Sequence, residues 1–219
     1  LREPQQAEKF QAAARQYGVA VPSMAMSGFF AQSFLTRDNY QDLLKDCFQT
    51  MKLFGSKVAF LPLGGSGKDW QQEGCAAYQQ MVSRLRTAGE MAKQEGITIG
   101  IRTGMGAKFD KKLLKKVGSS QIKVYYNFQD AADHHRDICK ELRKLGAQRI
   151  VQIHASNTDS VNLQEDPEIN LPKIRKTLDK MKWSGWLVVE RSRDVKRVRD
   201  VKYNFGRNIA YLKQVFQER

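Results

Sequence analysis

The residues best equipped for chemistry in this chain stand at the ends of apolar runs. Trp186-Leu187-Val188-Val189 runs into the carboxylate of Glu190, and Ile150-Val151-Gln152-Ile153 runs into the imidazole of His154. Ile97-Thr98-Ile99-Gly100-Ile101 ends on Arg102, and Ile122-Lys123-Val124-Tyr125-Tyr126 ends on Asn127. Glu190 and His154 are acid–base or metal-ligand types. Arg102 is a permanent cation with no acceptor atom, so beside a metal it is misplaced and beside a carboxylate it is at home. Polar groups at the C-terminal ends of successive strands, each followed by a helix, are the layout of an α/β barrel active site.

The elements that must carry these groups alternate along the chain. Helical periodicity over 3–17 stops at Gly18, and 19–25 reads as a short strand. Helix 38–54, with Asp38 as its cap and Gly55 as its stop, is followed by strand 57–61 and a long helix within 69–95 stopped by Gly96. Strand 97–101, helix 108–117, strand 122–126, helix 130–145, strand 150–154, helix 171–182, strand 186–190 and helix 204–217 complete the series. Strands alternating with helices mean βαβ units and a parallel sheet in a single domain. A closed barrel takes eight strands and typically about 250 residues. Six strands in 219 residues, opening on a helix, leave two readings: a barrel without its N-terminal one or two βα units, or an open sheet.

Composition narrows the class. Apolar residues make up 41% and aromatics 10%, as in ordinary globular proteins. No apolar run approaches the roughly 20 residues of a membrane span, so no membrane partner is expected. No N-terminal export signal is read and the leaning is cytoplasmic, although a segment upstream of Leu1 would escape this reading. Cys47, Cys75 and Cys139 fall in helical patterns without metal-ligand spacing and read as small reduced apolar residues. The net charge of +14 concentrates in the lysines of 108–123 and in 191–207. Phe109 is the single aromatic among the 108–117 lysines, which speaks against a base-stacking platform and for a solvated basic face. The oligomeric state stays open, a homo-oligomer included.

With Ile99-Gly100-Ile101, Val124-Tyr125-Tyr126-Asn127-Phe128, Gln152-Ile153-His154 and Gly185-Trp186-Leu187-Val188-Val189-Glu190 in hand, the chain resembles the xylose isomerase-like TIM barrel family. These are sugar-phosphate isomerases and epimerases, with endonuclease IV-type repair enzymes as relatives. The resemblance runs over roughly residues 5–218 and leaves the family's first strand or two without a counterpart. It implies a (β/α)8 barrel acting on a monosaccharide or sugar phosphate. It also implies one divalent metal (Mn, Mg, Co or Zn) held by Glu, Asp, His and Glu at four strand ends, with the glutamates as acid–base pair. Carried over, the second Glu is Glu190 and the His is His154, the two implied metal ligands. The Asp position holds Asn127 and the first Glu position holds Arg102. Asp130 stands three residues beyond Asn127.

The departures have consequences. An Asn carbonyl offers a hard cation only a dipole, and a guanidinium offers nothing. Two cations a few ångströms apart repel by several kcal/mol even at an effective dielectric of about 20. A two-base mechanism through positions 102 and 190 therefore cannot run. The leading expectation is an isomerase with Glu190 as base, His154 as metal ligand or polariser, and Arg102 on an anionic or enolate oxygen. Asn127, Asp130 and Asn157 are the expected substrate contacts. The alternative is a non-catalytic sugar-binding barrel in which Arg102 pairs with Glu190 in the former metal site. A repair nuclease needs several metals and many ligands, against three histidines in all, so nucleic acid is not the expected partner.

Three further segments stand out. Gly64-Gly65-Ser66-Gly67-Lys68 has Pro62 and Asp69 where a nucleotide P-loop needs Gly and Ser/Thr, leaving a flexible loop or a plain turn. His134-His135-Arg136 reads as a solvated helix start. Trp183 and Trp186 read as core.

Overall fold

The computed structural model describes residues 4–63 and 69–218. The glycine-rich segment 64–68 lies outside the described residues. Six parallel strands follow chain order in the sheet: β1 (Ser23–Ala25), β2 (Val58–Pro62), β3 (Thr98–Arg102), β4 (Ile122–Asn127), β5 (Ile150–His154) and β6 (Leu187–Val188). Helices follow the strands, as the alternating periods require. The chain divides into two compact units, residues 1–103 with 112–124 and residues 104–111 with 125–219.

In the first unit β1, β2, β3 and the start of β4 pair in register, with Met24 opposite Ala59 and Ile99 opposite Ile122. Helices α1 (Pro4–Gln16), α2 (Gly28–Ala31), α3 (Tyr40–Phe54) and α4 (Ala76–Gln94) belong to it. α3 buries Tyr40, Leu44, Phe48 and Met51, one face at helical spacing. It ends where expected, with Gly55 at φ 65° supplying the left-handed turn that side-chain-bearing residues avoid. Its N-cap position is Asn39 rather than Asp38, and the Asn39 side chain makes no capping hydrogen bond. α4 begins at Ala76 because Cys75 turns the chain and its Sγ accepts from Tyr78 N. Residues 69–71 form only a 3₁₀ turn. A Cβ on Gly89 of α4 would stand 2.3 Å from Ser119 Oγ, so only glycine lets this helix lie so close to the loop before β4.

The second unit holds the C-terminal half of β4, β5, β6, helix α8 (Leu171–Lys180) and most of the site candidates. α5 (Ala107–Val117) runs from one unit into the other. Its start is fixed in the second unit, where Ala107 N donates to Glu141 Oε1 at 3.0 Å and Tyr126 OH donates to Glu141 Oε2 at 3.3 Å. That bond and burial push the Tyr126 phenol pKa well upward, burial first. Arg136 closes the knot through Nη2 onto Gly104 O (3.1 Å) and Asp130 O (2.6 Å).

Three expectations need correction here. The helix read over 130–145 is two, α6 (Phe128–Ala132) and α7 (Ile138–Leu145), with His135 at φ 50° in the break. The break is closed by Arg136 N bonding back to Ala131 O at 2.8 Å, and Asp137 caps α7. His134 and His135 therefore lie between helices, both exposed. The strand read over 186–190 is only Leu187–Val188 and is half-buried, and Trp186, expected in the core, is 53% exposed. β6 ends the sheet, so one neighbour covers its edge where a central strand has two. Trp183 is half-buried, its Nε1 donating to Ile150 O at 3.0 Å.

Candidate functional site

Three of the strand-end residues meet in the second unit. Asn127 closes β4, and its Oδ1 accepts from Gln129 N at 2.8 Å as the cap of α6. That commitment turns its amide nitrogen to His154 Nδ1, 3.4 Å away. His154 closes β5, its side chain 8% exposed, with the Tyr125 ring at 4.5 Å between centroids. Glu190 Oε2 lies 3.5 Å from the same Nδ1. Glu190 itself stands two residues beyond β6, with its side chain 39% exposed, whereas the sequence had it ending a buried strand.

One imidazole nitrogen thus faces both an amide donor and a carboxylate acceptor. It can satisfy only one at a time. Deprotonated, Nδ1 accepts from Asn127 and carries its proton on Nε2. Protonated, it donates to Glu190. Proton exchange at this atom is the chemistry the arrangement can do.

The two strand-end turns that carry His154 and Glu190 are laced together. Ala155 N bonds to Val188 O at 2.9 Å, Glu190 N to Ser156 Oγ at 3.3 Å, and Asn157 N to Ser192 Oγ at 2.8 Å. Ser192 is fully buried at φ 74°, and its carbonyl accepts from Asn162 (3.1 Å) and Asn208 (2.7 Å). Asn204 Oδ1 accepts from Asn162 and from Asp194 N, and Asn208 Oδ1 from Leu163 N. Asn204 and Asn208 lie one turn apart on the inner face of α9 (Val201–Phe216), and a search for strand-end residues misses them. The signal was present: two amides four residues apart on a helix's apolar side need partners. Arg193 adds a two-pronged grip on Asp159 through Nε (2.9 Å) and Nη2. That grip holds the Asp159 carboxyl below its ordinary range.

Of the other predicted contacts, Asn157 is buried in the turn after β5. Its Nδ2 donates to Glu168 at 2.9 Å while its Oδ1 has no partner. Asp130 lies half-buried in the first turn of α6. Arg102 closes β3 in the first unit, half-buried, with its carbonyl accepting from Leu63 N at 2.9 Å.

The donor set does not fit the metal that the family implies. One imidazole and one carboxylate meet, the third group turns an N–H toward them, and the described residues contain no group of three His, Cys, Asp or Glu able to hold an ion.

Strand-end placement of these residues on a parallel sheet agrees with a sequence match to the xylose isomerase-like TIM barrel family over residues 2–215, and the chain belongs to that family. No curated protein matches it by sequence. Among solved structures, D-psicose 3-epimerase in the presence of D-fructose is similar at TM-score 0.79 and 12% identity, over 99% of this chain and 85% of that one. A xylose isomerase domain protein from Planctomyces limnophilus is similar at 0.75 and 14%, over 98% and 85%. A family 2 AP endonuclease from Brucella melitensis is similar at 0.73 and 16%, over 94% and 85%. At such identities the likeness carries the fold alone. No helix among the described residues is long and apolar enough to cross a membrane.

Proposed function

We propose that this chain is an isomerase- or epimerase-like protein of carbohydrate metabolism that moves a proton on the carbon next to a sugar's carbonyl. Its substrate would be a monosaccharide or its phosphate. The observation that carries this is His154 Nδ1 standing between Asn127 and Glu190, at 3.4 and 3.5 Å. In the neutral imidazole held by Asn127, Nε2–H is the donor for a carbonyl oxygen, and charge developing on that oxygen strengthens the bond. Glu190 takes the carbon-bound proton; returning it to the former carbonyl carbon, while the hydroxyl proton on the carbon that lost it passes through His154 to the former carbonyl oxygen, gives the isomer, and reprotonation by solvent on the opposite face gives the epimer. In this reading Glu190 and His154 carry the proton transfer, and no step is assigned to Arg102.

A second reading, a sugar-binding barrel without activity, is favoured by one observation. Glu190 is 39% exposed, whereas a working base is commonly tuned by burial. Incubating the protein in D2O with D-fructose, D-psicose, D-tagatose and their phosphates separates the two. The isomerase reading expects deuterium at the carbon next to the carbonyl, and Glu190→Gln should slow its entry by about a hundredfold or more. Binding without exchange would establish the second reading, and neither binding nor exchange would refute both.

A further inference from the structure

Gln152 precedes His154 by two residues in β5, so strand alternation puts both on one face of the sheet. Tyr125 and Asn127 of β4, which touch His154, are on that face too. Gln152 is 1% exposed, and neither its Nε2 nor its Oε1 has a hydrogen-bond partner. Other buried asparagines of this unit differ: Asn127, Asn204 and Asn208 each have both amide atoms engaged. A buried amide with two orphaned atoms is a destabilising choice where Met or Leu would fill similar space, so the group asks for an occupant.

The chemistry of that occupant follows from the amide. It presents a donor and an acceptor side by side. A phosphate or carboxylate would use only the N–H and leave the carbonyl orphaned, and an ammonium would do the reverse. A hydroxyl both donates and accepts, and satisfies the pair. Two residues along a strand span about 6.6 Å, roughly the breadth of one monosaccharide. A sugar oxygen at His154 therefore leaves another hydroxyl within range of Gln152. Asn157 Oδ1, also buried and partnerless, awaits a donor of the same kind.

We propose that Gln152 is a further ligand-binding residue of the Asn127–His154–Glu190 site, reading one hydroxyl of the sugar. This rests on the sugar reading above. The test titrates the full chain and Gln152→Met with D-fructose, D-psicose and D-tagatose by calorimetry, then with monodeoxy analogues of whichever binds best. Gln152→Met should weaken the best ketose by about tenfold or more. The analogue lacking the hydroxyl that Gln152 reads should bind both proteins within about twofold, since its cycle removes the same contact twice. The variant should also melt no lower than the parent, having lost two unsatisfied buried atoms. Equal ketose affinity in parent and variant would overturn the inference and leave the sugar reading standing. A parent that binds none of the sugars would overturn both. Should Gln152→Met not fold, Gln152→Leu takes its place, and failure of both would make the amide a structural group and overturn the inference.

Discussion

At the scale of single residues, the departure at position 127 governs what the site can hold. Asn127 spends its carbonyl oxygen on capping α6, so the atom turned to His154 is a donor. Asn127→Asp would keep a cap oxygen and turn a second carboxylate oxygen toward His154 and Glu190. Two carboxylates and an imidazole make a competent first set of ligands for Mn²⁺. The variant should bind Mn²⁺ at least about tenfold more tightly than the parent, read by calorimetry at neutral pH. Equal affinities would show that position 127 is not the family's Asp position. Cys47 illustrates the bland side of the same scale: burial pushes its thiol up to about 11, which keeps it protonated and unreactive at neutral pH.

At the scale of elements, the placement of Glu190 depends on segments beyond β6. The strand stops at Val188, so the following turn has no ladder to hold it. Ser192, Asn204, Asn208 and the Arg193–Asp159 pair do that work from α9 and from the loop after β5. Because Arg193 depresses the Asp159 carboxyl, the pair's contribution is full above the ordinary carboxylate value. It is lost as pH falls from about 4 through the lower folded value. Arg193→Ala should therefore be less stable than the parent at pH 7, and the gap should close progressively below about pH 4. Urea unfolding across that range measures it. A gap that stays constant into acid would mean the guanidinium acts through packing instead of charge.

At the scale of the whole molecule, a net charge of +14 is the dominant field. α5 presents Lys108, Lys111, Lys112, Lys115 and Lys116 on its exposed face, spaced three and four apart, where like charges repel by a few tenths of a kcal/mol per pair. Lys112 pairs with Glu73 at 2.8 Å, which raises the lysine's pKa and lowers the glutamate's. Self-repulsion of this kind is screened by salt, so the melting temperature should rise as NaCl increases at neutral pH. A fall would mean that specific pairs such as Arg193–Asp159 outweigh the net charge.

What the sequence determined by itself was the order of strands and helices, the parallel sheet, the family, and the placing of Asn127 and His154 at the ends of their strands. Those follow from local signals. Apolar period tells strand from helix, Gly55 forces a left-handed stop, and residues at the ends of adjacent parallel strands are neighbours. The tertiary structure decided whatever depends on groups distant in sequence. Trp186-Leu187-Val188-Val189 is apolar enough for a buried strand, yet β6 pairs along one edge only and shortens to two residues. Residues 130–145 have one continuous helical pattern, yet Arg136 ties the chain back to Ala131, Asp130 and Gly104 and breaks it. Gln152 reads as one polar residue within an apolar strand. Only the packing around it removes water from both amide atoms without supplying a partner, because burial is set by what other segments bring to that face.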